Sequence, residues 1–131
     1  MSIIKTAITQ GVKVTAYPKY IPDESKPLEG RFFHAYRITI QNNSANTIQL
    51  LKRHWNIYDT IGGMRSIQGE GVVGETPVLK KGDTYSYTSC CPLSSSIGYM
   101  DGFFQFVDLQ TENQFTVKIP HFDLLMPGVF N

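Results

Sequence analysis

Cysteine is scarce in this chain, with Cys90 and Cys91 its only two, side by side. A disulfide between neighbours closes a strained ring, so the pair reads as reduced thiols and the fold as one without a covalent staple. Long apolar runs are missing too. No stretch approaches the ~20 residues of a membrane span, and the first ten residues lack the apolar core of a signal peptide, so the expectation is a cytoplasmic protein without membrane insertion. Nor is there an excess of one charge, since 12 Lys plus Arg stand against 11 Asp plus Glu. That removes the electrostatic footprint of a nucleic-acid or anionic-lipid binder. Finally, no window of helical length carries an apolar stripe at i, i+3, i+4 and i+7 free of Gly or Pro, which excludes a helical core.

Assembled chemistry is equally thin. His34, His54 and His121 fall on different predicted elements, without metal-ligand spacing to one another or to Cys or carboxylate groups. G-x-S-x-G is absent, Cys91 has no His partner in the sequence, and Ser94-Ser95-Ser96 reads as a polar loop after Pro92. Asp101, Asp108, Glu112 and Asp123 are scattered as solvated charge. The expectation is therefore no metal, no cofactor and no enzymatic activity.

What the sequence does contain is period-two alternation enriched in β-branched and aromatic residues. It predicts about seven strands, over residues 12–17, 32–41, 48–60, 64–68, 84–89, 102–109 and 114–119. Residues 18–30, with Pro22, Pro27 and the acidic pair Asp23-Glu24, read as a long mobile loop. The turn Asn42-Asn43-Ser44-Ala45-Asn46 implies one hairpin and Gly62-Gly63 a second. Phe115, Val117 and Ile119 alternate with Thr116 and Lys118, as a sheet with one buried and one wet face requires. Tyr85 with Tyr87, and Phe104 with Phe106, read as core. At 131 residues the chain is one domain, long enough to bury roughly two thirds of its unfolded surface. An all-β sandwich of two antiparallel sheets, immunoglobulin-like or fibronectin type III-like, fits this pattern.

A formal G-x-G-x-x-G lies at Gly69, Gly71 and Gly74. A dinucleotide fingerprint must open a helix. Here Val72-Val73, Pro77 and the turn Lys81-Gly82-Asp83 keep the chain extended. The glycines read first as a strand bend or bulge. The alternative is an anion nest of consecutive N–H groups. In that case Glu70 and Glu75 require a bridging Mg²⁺, and Arg65, Lys80 or Lys81 supplies compensating charge. The tail from Pro120 onward, with Phe122, Leu124, Leu125, Met126 and Phe130 past the last predicted strand, either folds back on the sandwich or serves a partner.

Taken together, Arg53-His-Trp55, Gly69-Glu-Gly-Val-Val-Gly-Glu-Thr-Pro-Val-Leu79, Tyr87-Thr-Ser-Cys-Cys-Pro-Leu93, Gly98-Tyr-Met-Asp-Gly102, Ile119-Pro120, Pro127 and Asn131 closely resemble the bacterial ApaG family. The resemblance covers nearly the whole chain. It implies a β-sandwich of the immunoglobulin or fibronectin type III kind, found alone in bacteria and appended to certain eukaryotic F-box and polymerase-interacting proteins. It also implies association with cobalt resistance and magnesium efflux. The family's glycine motif has been proposed to hold pyrophosphate. One departure stands out, because Cys90 occupies a position usually held by Gly. The expectation is thus a binding module engaging an unidentified protein partner, or a second copy as a homodimer, through an edge strand, loops or tail. The alternative is a small-ligand module taking pyrophosphate or a dinucleoside polyphosphate with Mg²⁺ at Gly69, Gly71 and Gly74.

Overall fold

The computed structural model describes residues 3–128, and in them the alternating pattern becomes nine strands. They are β1 (Lys5–Thr9), β2 (Val12–Tyr20), β3 (Phe32–Asn42), β4 (Ile48–Asp59), β5 (Gly63–Glu70), β6 (Val78–Leu79), β7 (Thr84–Leu93), β8 (Ile97–Asp108) and β9 (Gln114–Leu125). One antiparallel sheet runs β1-β2-β3-β7 and the other β5-β4-β8-β9, with the short β6 also pairing β4. The all-β sandwich read from the alternation is therefore the observed fold. No helix among the described residues is long and apolar enough to cross a membrane.

Several elements differ from the sequence reading. β1, unforeseen, pairs with β2 through the tight turn Gln10-Gly11, where both residues have positive φ. Residues 18–30 are not one loop. β2 continues through Pro18 to Tyr20, and two 3₁₀ turns, Pro22–Glu24 and Pro27–Glu29, follow. Proline is tolerated in β2 because β1 pairs only as far as Ala16, leaving that side of Pro18 without a ladder partner. The asparagine turn after β3 is not a hairpin, since β3 and β4 belong to different sheets. It crosses the sandwich, and buried Asn42 organises the crossing. Asn42 Nδ2 donates to the Asn46 and Leu79 carbonyls, both at 2.9 Å, and its Oδ1 accepts from the Ser44 N–H at 3.0 Å. The Gly62-Gly63 hairpin does join β4 to β5.

The tail from Pro120 is strand rather than appendage. β9 continues to Leu125, and Phe122 and Leu124 have no exposed surface. Between Ile119 and Phe122, β9 carries one residue more than β8 does between Gly102 and Met100. This bulge switches the inward set from Val117 and Ile119 to Phe122 and Leu124, which a strict period of two places on the wet face. Phe130 and Asn131 lie outside the described residues.

A second bulge, in β4, matters more for function. Leu50 pairs Phe106 but Lys52 pairs Gln105, so Leu51 is the extra residue. Inward positions are Ile48 and Leu50 before it and Arg53, Trp55, Ile57 and Asp59 after it. The core between the sheets holds Ile38, Ile40, Leu50, Trp55, Phe104, Phe106 and Phe122, with Tyr36 and Trp55 packed against Phe122 at ring separations of 5.8 and 6.0 Å. Tyr87, Phe104 and Phe106 are core as expected, whereas Tyr85 is only partly buried.

Candidate functional site at the open side of the sandwich

The edge strands are β1 and β7 of one sheet and β5, β9 and the two-residue β6 of the other. β1 and β2 pack against β9, closing one side, while β5 and β7 stay apart on the other. The gap between them is a cavity of about 310 Å³. Its inner wall is Tyr36, Trp55, Ile57 and Met100, and its mouth carries Arg53, Ile67 and Val73.

The β4 bulge turns Arg53 into this space. Its ladder partner is Gly69, and the guanidinium lies where a Cβ on Gly69 would stand, so that Cβ would be 2.7 Å from Nη2. Arg53 Nη1 donates to the carbonyls of Glu70 at 2.9 Å and Gly71 at 3.0 Å. Gly69 thus makes room for a neighbouring cation, and its own φ is not positive.

Gly71 does need its special backbone, with φ at +62°, and an added Cβ would collide with the Glu75 carbonyl. Its N–H donates to the Leu51 carbonyl at 2.8 Å, so the turn docks on the bulge. Val72 and Glu75 then exchange both backbone hydrogen bonds, 2.8 and 2.9 Å, around Val73 and Gly74, which have φ of +48° and +78°. Buried Val72 pins this turn to the core. Val73, by contrast, is a β-branched residue held in left-handed geometry and exposed, a placement of order 1–3 kcal/mol in strain. Three turn amides, those of Gly71, Val72 and Glu75, are engaged within the chain.

The other sequence candidates disperse. Arg65 reaches across the mouth, with Nη2 3.2 Å from the Pro92 carbonyl and 3.9 Å from Cys91 Sγ. Burial, partly opposed by Arg65, pushes the Cys91 thiol up to about 11, which suits an inert core residue rather than a nucleophile. Cys90 sits exposed in β7 without positive φ, so the replacement of the usual glycine leaves ordinary strand geometry. Lys80 and Lys81 lie on the exposed turn before β7, where the Lys80 N–H donates to Asp83 Oδ2.

Nor is the serine run simply a polar loop. Ser95 is buried, and its hydroxyl donates to Asp59 Oδ1 at 2.5 Å while the Ser94 N–H donates to Oδ2 at 2.6 Å. Burial would raise the Asp59 carboxyl, but these bonds and those from the Ile61 and Gly62 amides hold it below its ordinary value. The clasp ties the end of β4 to the segment leaving β7.

His34 is buried beneath Tyr20 and its Nε2 has no partner among the described residues. Burial lowers its pKa to about 4. His54 and His121 lie on the outer face of the five-stranded sheet, joined by a chain of side chains that the sequence did not reveal. His54 Nε2 meets Asn56 Oδ1 at 3.1 Å, Asn56 Nδ2 donates to Asp101 Oδ1 at 3.1 Å, and His121 lies 3.3 Å from Asp101 Oδ2 and 3.2 Å from Asp123 Oδ1. Among the described residues, no group of three or more His, Cys, Asp and Glu is arranged to hold a metal ion.

Comparison with known proteins follows the same outline. The family model for the ApaG domain matches residues 22–108. Protein ApaG of Brucella canis is 45% identical over 122 residues, 93% of each chain, and Protein ApaG of Bradyrhizobium sp. is 42% identical over 121 residues, 92% of each. The crystal structure of the putative ApaA protein from Bordetella pertussis superposes with a TM-score of 0.86 at 36% identity, covering 90% of this chain and 95% of that one.

Proposed function

This chain belongs to the ApaG family, and we propose that it is a non-enzymatic binding module that takes an extended segment of a partner protein onto the free edge of β5. The observation that carries this reading is a difference among edges. β7 contains Pro92, β9 contains Pro120 and a bulge, and β1 is five residues long and packed beside β9. Each of these devices blunts strand addition. β5 has none of them. It runs eight residues without proline, pairs on one side only, and is exposed along nearly its whole length. Met64 and Ile67 offer apolar contacts along it and Val73 another in the turn just past its end, and Arg65, its one charge before Glu70, is held by the Pro92 carbonyl. A bare ladder for affinity with spaced apolar contacts for selectivity is the physics of β-augmentation. The cobalt and magnesium phenotypes associated with the family then follow from what the partner does.

The test is site-specific photocrosslinking in cells from Met64 and Ile67, with Lys118 of β9 as control, followed by purification of the crosslinked partner. The proposal expects one partner captured from β5 alone, lost in Ile67→Lys, and slowed hydrogen exchange at β5 amides in the complex. A partner retained by Ile67→Lys, or protection at another edge, overturns it. Capture of a second copy would redirect the reading to a homodimer.

A second reading puts pyrophosphate or a dinucleoside polyphosphate with Mg²⁺ at Gly69, Gly71 and Gly74. The Arg53 guanidinium beside the turn favours it. The engaged amides of Gly71, Val72 and Glu75 weigh against it. Thermal stabilisation by pyrophosphate with Mg²⁺ that Arg53→Met abolishes would bring it forward.

A further inference from the structure

The net charge of +1 averages two different sheets. β1, β2, β3 and β7 together carry four cations, Lys5, Lys13, Lys19 and Arg37, and no Asp or Glu. The strands of the other sheet carry four cations against five carboxylates. The imbalance falls on one surface. Lys13 alternates with the inward Val12 and Val14, Lys19 shares the parity of Lys13, and Arg37 lies between the inward Tyr36 and Ile38, so all three point away from the core. Acids flank this face, Asp23, Glu24 and Glu29 in the 3₁₀ turns and Asp83 before β7, yet among the described residues none of the three cations forms an ion pair.

Within the face lies a recess of about 430 Å³, inside the roughly 300–1,000 Å³ of ligand sites. It is centred on a small side chain. Ala35 faces Lys19 on β2 and Cys90 on β7, and its methyl does not fill its place among larger neighbours. Tyr17 and Ile4, 37% and 57% exposed, give the recess apolar surface, and the buried Pro18 and Tyr36 complete that part of the lining. The charged and polar remainder is Lys19, Arg37 and Thr88. The Arg37 guanidinium lies over the Tyr17 ring, 5.8 Å from its centroid, a contact that holds it at the recess.

Exposed cations beside an apolar recess select the occupant. A phosphate backbone or a layer of lipid headgroups would meet Lys13, Lys19 and Arg37 but put nothing into the recess, whereas a carboxylate-rich segment with an apolar side chain uses both. Exposed ion pairs contribute little singly, so the side chain in the recess carries the selectivity.

We propose that the outer face of the four-stranded sheet docks an acidic segment of a partner protein, its carboxylates paired with Lys13, Lys19 and Arg37 and one apolar side chain seated over Ala35. This face belongs to the other sheet from β5, so docking here is independent of strand addition there.

The experiment is titration of the full chain with a short labelled poly-Glu peptide bearing one central Phe, followed by fluorescence anisotropy and by backbone amide chemical shifts. The same peptide with Ser for Phe supplies the charge without the anchor, and a poly-Lys peptide with the Phe supplies the anchor with the wrong charge. Oligothymidylate and phosphatidylserine vesicles supply the other anionic surfaces. The expected result is saturable binding of the acidic Phe peptide in preference to all four, with shifts at the Ala35, Arg37 and Thr88 amides and weakening as salt is raised. Lys19→Gln combined with Arg37→Gln should weaken it about tenfold or more. Ala35→Leu should do the same by filling the recess, in a folded protein because position 35 faces outward and is only half-buried. Lys52→Gln and Lys118→Gln, on the outer face of the other sheet, should leave it unchanged. Absence of saturable binding, equal affinity for the Ser peptide, preference for oligothymidylate or vesicles, shifts confined to the other sheet, or affinity unchanged in the Lys19 and Arg37 double variant or in Ala35→Leu would each overturn the proposal.

Discussion

On the side of the sandwich where β1 and β2 meet β9, the sheets lie against each other, and Thr9 Oγ1 accepts the Lys118 N–H at 3.1 Å across the seam. On the opposite side β5 and β7 do not meet. Polar clasps span that gap, Arg65 to the Pro92 carbonyl along its length and Asp59 and Thr60 to Ser94 and Ser95 at its end. The difference is one of means. The closed side adds to that bond the buried Val12 and Val14 of β2 and Val117 and Ile119 of β9, whereas the open side is spanned by directional polar contacts that leave room between them. A small β-sandwich can keep a cavity and a bare strand there because its stability comes from elsewhere.

The largest test of that contrast is Phe122→Ala. Phe122 has no exposed surface and packs on Tyr36 and Trp55, so truncation should cost about 3–5 kcal/mol in urea unfolding. A loss below about 1 kcal/mol would mean that the end of β9 is not core. Next comes Gly71→Ala, where positive φ and collision with the Glu75 carbonyl should together cost roughly 2–4 kcal/mol. Gly74→Ala, with the same sign of φ but nothing near its Cβ position, should cost only about 1–2 kcal/mol. Equal costs would remove the distinction between a turn wedged against its own backbone and one that is merely left-handed.

The third test is pH. His34 has a folded pKa lowered to about 4 from 6.5, so the unfolded chain binds more protons between those values and stability must fall as pH drops through that window. The full loss approaches about 3 kcal/mol, and His34→Leu should flatten this part of the curve. Asp59, whose pKa is lowered by its clasp, contributes stability above its ordinary value that is lost only on further acidification. A profile flat between pH 6.5 and 4 in the wild type would contradict a neutral, buried His34. The smallest effect belongs to the open edge, where Ile67→Ala should change stability by less than about 1 kcal/mol because 43% of the residue stays exposed. A larger loss there would make Ile67 part of the core instead of a contact held ready.

Much of the fold was legible because alternation is local. Phe115, Val117 and Ile119 point inward as their spacing demands, and the Gly62-Gly63 hairpin needs only the preference of glycine for tight turns. The asparagine turn misled for a definite reason. Asn, Ser and Ala specify a reversal of direction, but whether the chain returns in the same sheet depends on Asn42 reaching the Leu79 carbonyl, a contact 37 residues away. The site was less legible still. Gly69, Gly71 and Gly74 stand out in the sequence, yet their roles separate only when Arg53 and the Glu75 carbonyl are in place around them. Arg53 and Asp59, sharing the parity of Trp55 and Ile57, were the available hints that charges face inward.

The sequence by itself determined seven of the nine strands, the absence of a helical core and the family, since each rests on residues near one another in the chain or on a motif read in order. The tertiary structure decided which edges are blunted and which is bare, and where a cavity remains. It also decided which way Arg53 points, because a single extra residue at Leu51 inverts the parity of β4, and only pairing with β8 reveals that the residue is extra.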